Sequence, residues 1–214
     1  MDAGLTPLWI SVKTSLLATV ITFFLGIGTA YLVANYKGKW RGIIDSIFTL
    51  PLVLPPTVLG FFLLIFFGKN GPAGKFLLQF DINLIFTWTA TVISAVVVAF
   101  PMMYRSSRSA FEQIDDNLIA AAKTLGMSKW NIFYKISVPL AWPGIIGGVV
   151  LSFARALGEF GATLMMAGNI PGKTQTMPLA IFFQVQAMNY KGPRPSVRPR
   201  RCRPEWSGWW GWER

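Results

Sequence analysis

The chain has 214 residues, 53% of them hydrophobic and 14% charged, with a formal net charge of +11. That is more apolar surface than a soluble domain of this length buries, and the excess has to meet lipid. One cysteine, Cys202, and no histidine exclude an internal disulfide and a multi-cysteine metal site and argue against redox, zinc and histidine-based hydrolytic chemistry, so no cofactor is expected.

A bilayer core of about 30 Å needs roughly 20 apolar residues per helical span. Four charge-poor stretches meet that length, 8–33, 46–67, 86–104 and 142–167, which predicts an all-α integral membrane protein. The first opens with Lys13 close behind Trp9 and lacks the small-residue cleavage site of a signal peptide, so it reads as a retained helix. The second contains Pro51, Pro55 and Pro56, each of which removes a backbone donor and disrupts a regular helix. Irregular backbone at membrane depth is tolerated where it packs on protein or lines a wet cavity. Pro55 and Pro56 are therefore candidates for a transport pathway, with a purely structural kink as the other reading.

The basic residues concentrate in short loops. Lys37, Lys39 and Arg41 lie between spans one and two, and Arg105, Arg108, Lys123, Lys129 and Lys135 between spans three and four. Both loops are expected in the cytoplasm, which places the N-terminus outside. The positive charge then reads as membrane topology, and nucleic acid is not an expected partner.

Residues 105–140 are too polar to span. Leu118, Ala122 and Leu125 recur at helical spacing, Asp115, Asp116 and Asn117 supply start signals, and Gly126 supplies a stop. Ser128 is a candidate cap for a second helix bearing Trp130, Phe133 and Ile136. The pattern suits a docking element or an interfacial helix lying on the bilayer.

In this loop Ala120, Ala121 and Ala122, then Gly126, then Ile136 and Pro139 follow the spacing of the EAA loop of ABC importer permeases. The chain resembles that family, although Ala120 stands where the family usually has Glu and Val138 where it has Leu. The resemblance implies that Asn117, Ala120, Ala121, Ala122, Gly126 and Pro139 belong to a coupling segment that docks into a cleft on a separate ATPase. Small alanines permit close backbone approach, and Gly126 lets the chain turn out of the cleft.

Residues 152–183, together with 50–60, resemble the molybdate permease branch, whose relatives include sulfate and tungstate permeases. The likeness implies an oxyanion importer whose partners are a cytoplasmic ABC ATPase dimer, an external oxyanion-binding protein and a second permease copy. Within span four, Arg155 and Glu159 stand four residues apart near mid-membrane, where charges are costly unless paired or wet. They can form an ion pair, and two roles stay open: lining or gating the path, or sealing helix packing. Gly158 and Gly161 read as a close-contact face. Gly168 to Thr174 misses the phosphate-loop spacing by one residue, so ATP hydrolysis is expected on another chain and no catalytic constellation is visible.

From Lys191 the composition changes to seven basic residues and four tryptophans without helical periodicity. The family pattern calls for a fifth span here. Residues 191–214 read as out-of-frame sequence in its place, with a membrane-surface tail and a nucleic-acid-binding tail as the other readings.

Overall fold

A computed structural model describes residues 5–80 and 83–187; the expectations for 191–214 lie outside the described residues. The described chain is helical, with no strand. Helix α1 (Thr6–Asn35) is followed by α2 (Arg41–Val53), α3 (Pro56–Phe67), the short α4 (Pro72–Leu78) and α5 (Trp88–Glu112). Then come α6 (Asp116–Thr124), α7 (Lys129–Ile132), one π-helical turn at Phe133–Ser137, α8 (Val138–Leu157), α9 (Gly161–Ala167) and α10 (Met177–Gln186).

Among the described residues, three helical stretches are long and apolar enough to cross a membrane: Thr6–Asn35, Trp88–Glu112 and Lys129–Leu157. The stretch expected as a single second span is instead two helices, α2 and α3, meeting at 112°. Pro51 does not break α2, which runs through it. The turn comes at Leu54 and Pro55, both in extended backbone, and Pro56 restarts the helix at its first turn, where a missing N–H costs nothing. The stretch expected as a continuous fourth span also divides: α8 stops at Leu157, and α9 begins at Gly161. Two glycines in the four-residue run Gly158 to Gly161 supply the weak helix propensity that allows the stop.

Helix α5 is the axis of the bundle. It packs against α1 and α8 along their lengths and touches α2, α3 and α9. The approach is close because glycines stand at the crossings. A Cβ on Gly26 of α1 would fall 2.6 Å from Met103 Cγ, and one on Gly148 of α8 would fall 3.0 Å from Met103 Sδ. Gly144, one turn before Gly148, lies against Ala110, a small-residue spacing suited to helix contact in lipid. Met103, Tyr104 and Ile145 are fully buried at this junction, enclosed by Ile27, Ala30, Val33 and Phe111.

The outer faces of the same helices carry large apolar side chains, such as Leu16, Val20 and Phe24 on α1 and Val150 and Leu151 on α8, in the open. Buried small residues inward and exposed large apolar ones outward are the pattern expected when the surrounding solvent is hydrocarbon. At the start of α1, Lys13 lies 4.3 Å from the centre of the Trp88 ring, and Trp88 Nε1 donates to Thr14 Oγ1 at 3.0 Å. The Met177 N–H of α10 donates to Ser11 Oγ at 2.7 Å, fixing this short helix to the same end of α1.

Candidate functional site

The polar loop forms a separate helix with both ends closed by its own sequence. Asp115 caps α6, its carboxylate accepting from Asn117 N at 2.9 Å, and Asp116 adds negative charge to the first turn, where the helix dipole favours it. Gly126 ends the helix with φ +74°. Its N–H donates to Lys123 O at 3.0 Å, and Met127 N–H donates to Ala122 O at 3.1 Å. This is the paired closure that a left-handed residue after a helix produces. Ser128 then caps α7, accepting from Asn131 N at 3.3 Å. The start, stop and second-cap signals therefore sit where the sequence pattern put them.

The three alanines do not share one environment. Ala122 is 4% exposed and faces inward, whereas Ala120, Ala121 and Asn117 are exposed. Leu118 is also exposed, and Leu125 is 81% exposed. Two open leucines and two open alanines thus remain on α6 and its C-terminal cap, uncovered by the other described residues. Pro139 lies in the first turn of α8 and is exposed.

At the other candidate region the two helix breaks meet. A Cβ on Gly161 would stand 3.0 Å from Pro56 Cβ and 3.1 Å from Thr57 N, and a Cβ on Gly60 would stand 2.6 Å from Ala162 Cα. Helices α3 and α9 thus lie backbone against backbone, with Leu59, Val98 and Ala162 buried between them and α5. Gly158 makes no such contact, the nearest atom to its added Cβ being Ala154 O at 3.6 Å. Of the two glycines expected on a packing face, only Gly161 occupies one.

Glu159 lies in the break itself. Its side chain is 2% exposed and bonds in two directions: Oε2 lies 2.7 Å from Arg155 Nη1, and Oε1 accepts from Ala162 N at 2.7 Å. The i, i+4 ion pair forms, but Glu159 is no longer on a helix face. It satisfies one of the N–H groups that the interruption leaves open at the start of α9. At the far end of α9, Met166 O accepts from Phe86 N at 3.3 Å. Pro55, Pro56, Arg155 and Glu159 therefore belong to one region of interrupted helix whose freed backbone groups are met by protein.

A third cluster has no counterpart in the sequence reading. Arg108 on α5 pairs with Asp45 on α2 and, through Nε, with Glu112 Oε1 at 2.7 Å; Arg41 pairs with the same Glu112 oxygen. Tyr104 OH donates to Asp45 Oδ1 at 3.0 Å. The local spacings were visible, since 41 and 45, and 108 and 112, are each four apart. The cross-pairings that fasten α2 to α5 depend on a contact between residues about 60 to 70 positions apart, which spacing does not reveal.

Residues 22–196 match the family described as binding-protein-dependent transport system inner membrane component. The chain is 44% identical over 178 residues to a molybdenum transport system permease protein of Escherichia coli K12, covering 83% of this chain and 78% of that one. It is 47% identical over 163 residues to the corresponding protein of Haemophilus influenzae, covering 76% and 71%. It is 33% identical over 181 residues to a sulfate transport system permease protein of E. coli K12, covering 85% and 65%. The chain belongs to the family of binding-protein-dependent transport system inner membrane components, and is a transporter subunit rather than an enzyme.

Proposed function

We propose that the chain is the membrane-spanning subunit of an ATP-driven importer for a tetrahedral oxyanion, with molybdate as its substrate. The observation that carries the substrate is the identity to permeases named for molybdenum transport, 44% and 47%, against 33% to one named for sulfate. Sulfate is the second reading, on the strength of that last relative.

In this reading α6 is the coupling helix. A cytoplasmic ABC ATPase dimer takes up the exposed surface of Leu118, Ala120, Ala121 and Leu125, and Gly126 and Pro139 set the path of the chain out of the cleft. Support comes from the independence of α6: it is capped at both ends and makes few contacts with the bundle. The loop is joined to α5 by three residues and to α8 through α7 and the π turn.

The end of the bundle bearing α6 faces the cytoplasm, and the N-terminus lies outside. Both basic loops gather at that end, as the contacts of Lys37 with Asp116 and of Arg41 with Glu112 indicate, in keeping with the positive-inside tendency. A second copy of the chain completes the pathway, an external oxyanion-binding protein delivers the substrate, and the lipid bilayer covers the remaining apolar faces. The interrupted region around Pro55, Pro56, Arg155 and Glu159 is the moving part next to the path. Its Arg155–Glu159 pair is self-neutralising, so it serves as a positioning element and not as the oxyanion's counter-charge.

The test is uptake by vesicles containing this chain, its ATPase and its binding protein. Molybdate should accumulate on ATP addition, with sulfate competing poorly. Sulfate uptake that molybdate fails to inhibit would move the assignment to the second reading, and uptake of a sugar with no oxyanion transport would end it.

A further inference from the structure

Between α1 and the α7–π segment runs a groove of about 590 Å³ that the transport reading leaves unused. Phe24, Ile27 and Tyr31 form one wall, and Trp130, Phe133 and Tyr134 the other. The aromatic rings are fixed by one another: Tyr31 and Phe133 lie 4.5 Å apart, and Trp130 and Tyr134 are stacked at 6.2 Å. The groove opens on the side of α1 turned away from α5, where Phe24 and Leu32 are about two-thirds exposed. Among the described residues lining it, Lys129 alone carries a charge, and no described carboxylate pairs with it.

We propose that this groove is a binding site for one anionic phospholipid, with an acyl chain between the two aromatic walls and the headgroup phosphate on Lys129. A basic group at the rim of an apolar cleft between membrane helices, on the cytoplasmic side, has the chemistry that selects anionic headgroups. Trp130 and Tyr134 beside it suit the depth at which aromatic rings meet headgroups.

Neither α1 nor α8, the membrane helices beside the groove, contains an Asp or Glu that could pair with Lys129. A lipid phosphate supplies the missing anion. The proposal rests on the reading that the α6 end faces the cytoplasm, since the headgroup must lie at that leaflet.

Gly28 makes the groove testable without damage to the core. It lines the cleft from the middle of α1, and a Cβ placed there meets nothing within 4 Å. Gly28→Leu should fill the cleft while leaving the α1–α5 contact intact.

The experiment uses the full chain extracted in mild detergent and exposed to equimolar phosphatidylglycerol and phosphatidylcholine, with retained lipid counted by native mass spectrometry. The wild type should retain one phosphatidylglycerol in preference to phosphatidylcholine. Lys129→Gln should reduce that preference by about fivefold, the scale of one lysine at an anionic surface, and Gly28→Leu should abolish retention of either lipid.

Equal retention of the two lipids by the wild type, or an unchanged preference in Lys129→Gln, would overturn the proposal. So would efficient disulfide cross-linking of two copies through Leu32→Cys in the membrane, which would make the groove a protein interface. Orientation is tested separately, by labelling Leu125→Cys in a Cys202→Ser background with an impermeant thiol reagent from either side. Failure there would overturn the topology without altering the lipid count.

Discussion

Glu159 Oε1 accepts the backbone N–H of Ala162 at 2.7 Å while its other oxygen holds Arg155, so one buried carboxylate closes a helix break and neutralises an arginine at once. The two tasks separate under substitution. Glu159→Gln keeps an oxygen for the Ala162 N–H but leaves the half-buried Arg155 without its anion, at a cost of about 1–2 kcal/mol, below the penalty for a fully buried charge. Arg155→Met combined with Glu159→Gln should recover most of that loss. Thermal unfolding of the three purified variants measures it, and a double variant no more stable than Glu159→Gln would remove the ion pair from the account.

Gly126 has a left-handed backbone and open space where a Cβ would point. Asn and Asp tolerate that conformation better than other side chains, so both substitutions should insert and fold. Only Asp adds a charge to the surface proposed to enter the ATPase. Gly126→Asp should lose transport while the ATPase continues to hydrolyse ATP, and Gly126→Asn should retain most of its uptake. Equal transport by the two variants would argue that the turn does not lie in the docked joint.

The glycines at the second break predict opposite outcomes for one kind of change. Gly60→Ala places a methyl 2.6 Å from Ala162 Cα and should push α3 from α9, costing about 1–3 kcal/mol as overpacking does. Gly158→Ala meets only its own helix, at 3.6 Å, and should change the melting temperature little. Comparable losses at both positions would show that α3 and α9 are not in close contact.

The joint between α2 and α5 should respond to salt. Arg108 and Asp45 are both partly exposed, so a double-mutant cycle should return a coupling of about 1 kcal/mol that shrinks as ionic strength rises. A coupling of zero at low salt would mean that the two helices are held without this pair, by the Arg41–Glu112 pair and by aromatic packing of Phe48 on Tyr104 at 5.2 Å.

What could be read from residues alone was governed by distance along the chain. Asp115, Gly126 and Ser128 act on backbone groups within five residues, and the structure places the ends of α6 and the start of α7 where those signals stand. Apolar runs located the membrane helices because each run has to match a bilayer. Proline in span two was correctly a warning of irregularity, but only Pro55 and Pro56 mark the turn, because Pro51 is accommodated within α2. The break at Gly158 was missed although the bond from Ala162 to Glu159 spans only three residues, because Arg155 and Glu159 at i, i+4 are equally consistent with an uninterrupted helix. Asp45 and Arg108 lay beyond reach because their pairing joins distant parts of the chain.

The segment from Lys129 to Leu157 runs as one 29-residue helical unit through its π turn. At about 1.5 Å per residue it measures roughly 43 Å, some 13 Å more than a bilayer core of about 30 Å. A rod of that length reaches past the hydrocarbon core, so one end of it extends to headgroup level. Were the crossing with α5 at Gly144 and Gly148 to act as a pivot, a shift at Lys129 would swing Arg155 in the opposite sense. The swing at Arg155 would then depend on where those glycines put the crossing, and moving it one turn along α8 would change the gearing without touching either end.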